Sequence, residues 1–291
     1  MRFAAANYCV LAMIAAAVGC SHGAPVVVGS RAGTEQSILS EIIAQQIEKK
    51  TALRVERRAA FTSTSQTSEA LAGGQVDLYV EYTGSAMINC LRLPAVADAS
   101  AVRDQVRSEY REKLRVEMLD PLGFDARPAV LARASLAKEK GLDSLNQLER
   151  LTDARWRLGI TYDFLERQDG LKLLNRNYNI ALDGAARTFD PRLLGKALAN
   201  DEINLMAGHQ SDAVLMEPGI VALTDDKNCF PPYEASIIVR REALNANKGL
   251  EAALRALSGK VDIQTIRRLN HAVEFGKRPP ADVAREFLAK L

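Results

Sequence analysis

One tryptophan, three histidines and four cysteines in 291 residues leave little for metal or redox chemistry to use. A metal site needs His, Cys or carboxylate ligands clustered at helical or loop spacing, and His22, His209 and His271 stand far apart in the chain. No Walker loop, G-x-G-x-x-G or G-x-S-x-G elbow is present, so the usual signatures of nucleotide binding and serine hydrolysis are missing. "HQSD" at His209 to Asp212 has no nucleophile elbow to complete a triad. The pair Asp225-Asp226 reads as a solvated turn rather than an acid–base couple. An excess of either charge is missing too: the formal net charge is +2. Phosphate binding needs a clustered basic face, so nucleic acid is not the expected partner. Beyond the N-terminus no run of 18 apolar residues occurs, and nothing there reads as a membrane span. These absences argue against an enzyme and imply no metal or cofactor.

What is present begins with an export signal. "MRFAAANYCVLAMIAAAVGC" carries one basic residue, Arg2, and an apolar core from Tyr8 to Val18. That core is too short to span a bilayer and reads as a signal peptide covering residues 1–19. The "AVGC" ending resembles a bacterial lipoprotein processing site, with Cys20 as the lipidated residue; ordinary secretion is the alternative. The reading is a protein of the periplasm or cell surface, tethered to its membrane through lipid. Export implies an oxidising compartment. Cys9 leaves with the signal and Cys20 takes lipid, so Cys90 and Cys229 remain, either as a disulfide or as two buried thiols.

The body of the chain alternates apolar runs of strand length with helical patterns. "PVVVG" precedes Ile38, Ile42, Ile43 and Ile47 at helical spacing; "VDLYVEY", "PAVLARASL", "WRLGITY" and "INLMAG" continue the strands. From Leu250 onward only helices are expected. Strand–helix alternation of this kind predicts an α/β fold with parallel sheets. Ligands of open α/β sheets bind beyond the carboxyl ends of the strands. Arg31, Tyr82 with Ser85, Asp125 to Arg127, Arg167, His209 with Asp212, and Tyr233 all sit at such ends or breaks. Tyr79, within "DLYV", is expected in the core, and Trp156 is expected to pack.

Four separated stretches, in order, carry a family resemblance. "GSRAGTEQ" looks like a "GSKNFTEQ" opening, and "TSEALAGGQVDLYVEYTGSA", "DFLERQDGL" and "DDKNCFPPYEASIIVRREAL" each match a further motif. Together they resemble the glycine-betaine/choline (osmoprotectant) substrate-binding proteins of ABC importers, from about Val26 to the C-terminus. The resemblance implies a two-lobed α/β type II periplasmic-binding-protein fold with a ligand cleft between the lobes. Lobe I would hold residues 26–124 and 234–291, and lobe II residues 125–233. It implies a small zwitterion or quaternary amine as ligand, an ABC permease and its ATPase as partners, and a monomer that captures ligand by closing. An aromatic cage holds a quaternary ammonium by cation–π attraction, and arginine grips a carboxylate by paired hydrogen bonds.

Carried over by position, Arg31 takes the place of a first-turn lysine, Tyr82 and Tyr233 match cage tyrosines, Ser85 is a nearby hydroxyl, and Arg167 matches a carboxylate-gripping arginine. Two places depart from the family pattern. "GFDARPAV" sets Pro128 where a cage tyrosine is usual, with Arg127 beside it, and "GHQSDA" sets His209 where another is usual. With Arg31, Arg127 and Arg167 the cleft is expected to be cationic, which also admits another zwitterionic or anionic ligand. A sensor or scaffold lipoprotein on the same fold is a further alternative. Cys90 and Cys229 flank proposed cleft segments, which places a bridge between a loop of one lobe and the hinge. Asp212 is expected to cap a helix or hold a loop.

Overall fold

The computed structural model describes residues 24–150 and 156–291; the expected signal segment, Cys20 and His22 lie outside the described residues. The described residues form two five-stranded sheets. The first, in order β2-β1-β3-β10-β4, contains β1 (Val26–Arg31), β2 (Val55–Phe61), β3 (Leu78–Tyr82), β4 (Val116–Met118) and β10 (Ala235–Arg240). The second, in order β7-β6-β8-β5-β9, contains β5 (Pro128–Arg133), β6 (Leu158–Ile160), β7 (Ala186–Thr188), β8 (Leu205–His209) and β9 (Ile220–Ala222). The fold is α/β and two-lobed.

The apolar runs explain the layers. β1 is buried along most of its length, as a strand covered on both faces must be. The helix Thr34–Lys50 buries Ile38, Leu39, Ile42, Ile43 and Ile47 against this sheet, while Lys49 and Lys50 close its last turn at the negative end of the helix dipole. A second cluster on Val130, Leu158, Leu171, Tyr178 and Leu205 forms the core of the other lobe, with Trp156 packed at its edge. Tyr79 is fully buried and donates its hydroxyl to Glu81 Oε2 at 3.1 Å. Among the described residues, no helix is long and apolar enough to cross a membrane.

The sheets are mixed rather than parallel, and the chain path explains why. β1 pairs in parallel with β2 and β3, but β10 runs antiparallel to β3 and β4. In the second sheet β5 is the antiparallel strand, between β8 and β9. β10 and β5 are the strands that enter a lobe from the other one. A chain arriving from the opposite lobe starts at the end where the parallel strands finish. Hence Ala235 lies opposite Tyr82, and Pro128 opposite His209. The two connecting segments pair with each other at Asp125 and Glu234, with Ala126 N–H donating to the Tyr233 carbonyl at 2.9 Å. Asp125 Oδ1 accepts the N–H groups of Arg127 and Tyr233 at 2.8 and 3.0 Å, which fixes the crossing.

The expected Cys90–Cys229 bridge does not form; both are free cysteines. Cys90 sits beside Tyr110 and Ser68 within the first lobe, where burial pushes its thiol up to about 12. Cys229 packs against the core of the second lobe and donates its N–H to Asp225 Oδ1 at 3.0 Å. Each sulfur belongs to its own lobe, so flanking the cleft in sequence does not bring them together.

Candidate ligand-binding site

A cavity of about 510 Å³ lies between the lobes, at the carboxyl ends of β1, β3 and β8. Its walls include Arg31, Glu35, Tyr82, Ser85, Asn270 and Glu274 from the first sheet and its helices. Across from them stand Arg167, Phe189, His209 and Asp212, with Tyr233 on the connecting segment.

Arg31 ends β1 and hands over to the helix through Gly33, whose φ of 128° an L side chain rarely adopts. The N-terminus of that helix has no side-chain cap, and Gly33, Thr34 and Glu35 line the cavity. Arg31 Nη1 donates to Thr64 Oγ1 at 2.7 Å, and Nη2 stands 3.4 Å from the fully buried Glu81. Burial opposes its charge, but Glu81, Tyr82 and Tyr79 reverse the effect and raise its pKa. Its guanidinium carbon lies 5.4 Å from the centre of the Tyr82 ring.

Arg167 repeats this arrangement from the other lobe. Nε and Nη2 grip the buried Asp169 at 2.9 and 2.7 Å, Nη1 reaches Asp163 at 3.4 Å, and Nη2 donates to the Tyr233 hydroxyl at 2.6 Å. Its guanidinium carbon is 5.5 Å from the centre of the Tyr233 ring. Burial would lower its pKa, yet the two aspartates raise it above the ordinary arginine value. Asn89 of the first lobe donates to Asp169 at 3.2 Å, so one carboxylate joins both halves. Tyr82 and Tyr233 meet with ring centres 6.5 Å apart. Ser85 is 1% exposed, and its hydroxyl has no hydrogen-bond partner among the described residues.

Tyr233 is held close by a glycine. A Cβ on Gly84 would stand 2.5 Å from Tyr233 Cε2 and 2.6 Å from the Pro232 carbonyl oxygen. Gly84→Ala should therefore push the tyrosine out of place, weakening ligand binding by tenfold or more while costing about 1–3 kcal/mol of stability. Isothermal titration and urea denaturation of the variant check both effects.

Arg127 does not line the cavity. Its guanidinium folds back on Asp125 Oδ2, with Nε at 3.1 Å and Nη2 at 2.6 Å, while Ala126 faces the cleft instead. The next residue, Pro128, starts β5 opposite His209. The expectation that Arg127 makes the cleft cationic is thereby corrected.

His209 does line the cavity, but burial and the guanidinium groups of Arg167 and Arg31 push its pKa down to about 3. It is a neutral imidazole at physiological pH. Asp212 holds a loop: its Oδ2 accepts the His209 N–H at 2.8 Å. Burial, with Glu274 and Glu35 nearby, pushes its carboxyl up to about 8. Burial likewise raises Glu274 to about 7, with Glu35 adding to the effect. Glu35 accepts the Tyr82 hydroxyl on one oxygen and Asn270 Nδ2 at 2.8 Å on the other. Buried so, Tyr82 is held well above its usual pKa, first by desolvation and then by Glu35, and remains a neutral phenol. Sequence reasoning singled out neither Glu35, Asn270 nor Glu274. Glu35 stood within "GSRAGTEQ"; Asn270 and Glu274 lie in "TIRRLNHAVEF", which carries no motif.

Residues 24–290 match the model of the substrate-binding domain of an ABC-type glycine betaine transport system. The chain belongs to this family. A carnitine transport binding protein, OpuCC, of Listeria monocytogenes serotype 1/2a (strain 10403S) is 28% identical over 268 residues, covering 90% of this chain and 85% of its own length. The ergothioneine transport permease/ergothioneine binding protein EgtU of Helicobacter pylori (strain G27) is 29% identical over 270 residues, 92% of this chain. The chain spans only about half of that longer protein, 48%. Among solved structures, a glycine betaine/carnitine/choline ABC transporter structure superposes with a TM-score of 0.77 at 25% identity, covering 91% of this chain and 98% of its own.

Proposed function

We propose that this protein is the extracytoplasmic substrate-binding component of an ABC importer for small zwitterions, compounds such as betaines and amino acids that carry a carboxylate close to a positively charged nitrogen. The observation that carries the reading is the polarity of the cavity: Arg31 and Arg167 line it together with Glu35, Asp212 and Glu274. The two guanidinium groups, already held by Asp169, Asp163, Thr64 and Glu81, bring positive charge to the cavity, and the uncapped N-terminus of the Thr34–Lys50 helix adds backbone N–H groups at its positive end. These groups suit a ligand carboxylate, and Ser85 supplies a further hydroxyl. The acidic wall suits the ligand's cation. The anionic alternative loses ground, because an anion with no cation attached would face the acidic side unpaired.

Capture works through differential affinity: a ligand that touches both lobes stabilises the closed form, which is the form a permease would recognise. The lobes divide at residues 124/125 and 233/234, beside the pairing of Asp125 and Glu234. Asn89 and Asp169 form one of the contacts that closure would make. Processing at Cys20 would tether the protein to its membrane, and the binding unit would be a monomer.

The test is a thermal-shift and titration panel of glycine betaine, proline betaine, carnitine, choline and succinate. At least one of the carboxylate-bearing betaines should raise Tm by several degrees. Choline should bind at least tenfold more weakly than the best of them, since it leaves the arginines without a carboxylate. A response to succinate alone would overturn the zwitterion reading.

A further inference from the structure

The cleft presents an unusual density of acceptors on one side. Glu35, Asp212, Asn270 and Glu274 line the same cavity. Asn270 is 3% exposed and donates its amide to Glu35 Oε2 at 2.8 Å and to the Ser211 carbonyl at 3.0 Å. Both acceptors fix the orientation of the amide, and its Oδ1 is buried with no partner among the described residues. A buried acceptor left unpaired is costly, and each such group in a folded protein calls for a donor. Among the described residues no group of three or more His, Cys, Asp or Glu side chains is arranged to hold a metal ion. Glu35, Asp212 and Glu274 give this side of the cavity an acidic lining that suits an organic cation.

Resting on the zwitterion reading above, we propose that the cationic end of the ligand carries N–H donors, as a primary, secondary or tertiary ammonium does, rather than the fully methylated nitrogen of a betaine. A trimethylammonium has no hydrogen to give to the carboxylates that line the cavity. It relies on a closed box of aromatic faces that excludes water. The ring faces here are engaged or open. Tyr82 and Tyr233 each have a guanidinium over them, at 5.4 and 5.5 Å, which would repel a second cation. Tyr162 lines the cavity but is 68% exposed, and Phe189 packs against a hydrophobic cluster of its lobe. The raised pKa values of Asp212 and Glu274, due first to burial and then to neighbouring carboxylates, agree with a wall that suits a cation.

The experiment is a methylation ladder on two skeletons: glycine, N-methylglycine, N,N-dimethylglycine and glycine betaine, and 4-aminobutyrate with its mono-, di- and trimethylated forms. Titration calorimetry at pH 7.5 should show, on at least one skeleton, a tenfold or greater loss of affinity at the step that removes the last N–H. The Glu274→Gln variant should shrink that step, because it removes a charge facing the donor while keeping the shape. A ladder in which the trimethylated member binds as tightly as the dimethylated one, or tighter, overturns this inference and leaves the zwitterion function standing. If no zwitterion of either ladder or of the betaine panel binds, both readings fall.

Discussion

Arg167→Met will destabilise the ligand-free protein by about 3–5 kcal/mol and abolish binding of any carboxylate-bearing ligand. The reason is the company Arg167 keeps. Asp169 is fully buried, and the guanidinium pairs with it through two bonds. Removing the cation leaves that carboxylate with the weaker Asn89 contact at 3.2 Å. It also takes a 2.6 Å donor from the Tyr233 hydroxyl, which loosens the ring that faces Tyr82. Adding Asp169→Asn removes the stranded charge. The double variant should recover at least 1–2 kcal/mol of the loss without recovering binding. Urea denaturation of the four members of the cycle, with titration of the ligand into each, separates the two roles. A loss below 1 kcal/mol in the single variant would show that Asp169 finds its counter-charge elsewhere.

The fold was legible in the sequence because its signals are local. Isoleucines at helical spacing in Thr34–Lys50 and the apolar runs of β1, β3, β5 and β8 each specify an element within a few residues. The direction of β5 and β10 was not legible, because it follows from which lobe the chain leaves rather than from any pattern inside the strand. The arginines and tyrosines of the cleft could be picked out because strand ends are recognisable and carry the family motifs. Arg127 shows the limit: its place in the sequence is right, but a two-residue loop back to Asp125 turns the charge away. Asn270 and Glu274 show the opposite limit. They reach the cavity from a helix, Ile263–Glu274, that packs on the Thr34–Lys50 helix more than 200 positions away in sequence. Nothing within that helix distinguishes them from solvated polar residues. The charge of the site was misjudged for the same reason, since its cations come from motifs and two of its acids do not.

Asp212→Asn will stabilise the ligand-free protein at pH 8 by about 2–4 kcal/mol while weakening ligand binding, and the gain will largely vanish at pH 5. The sign follows from the direction of the shift. The carboxyl stands at about 8 in the folded protein against 3.8 ordinarily, because burial and the neighbouring Glu274 and Glu35 disfavour its charge. The folded state thus holds a proton that the unfolded state has lost between these values. Its contribution is present at low pH and disappears as pH rises through 8. A quarter of the side-chain surface remains accessible, which keeps the effect below the full shift. Glu274, raised to about 7 against 4.5, adds a slope of the same sign. Arg267 is the nearby cation that opposes the rise at Asp212, and Lys196 and His271 oppose it at Glu274. His209 titrates with the opposite slope below pH 6.5, but it is common to wild type and variant and cancels in their difference. Asp190, lowered to about 2, acts below this window altogether. Denaturation curves of both proteins at pH 5, 6.5 and 8 measure the difference directly. Equal stabilities at all three values would mean that Asp212 is ionised without penalty, and would remove the acidic wall's demand for a cation. The expected outcome ties stability to function, since the carboxylate charge that burial disfavours is the one a bound ammonium would neutralise.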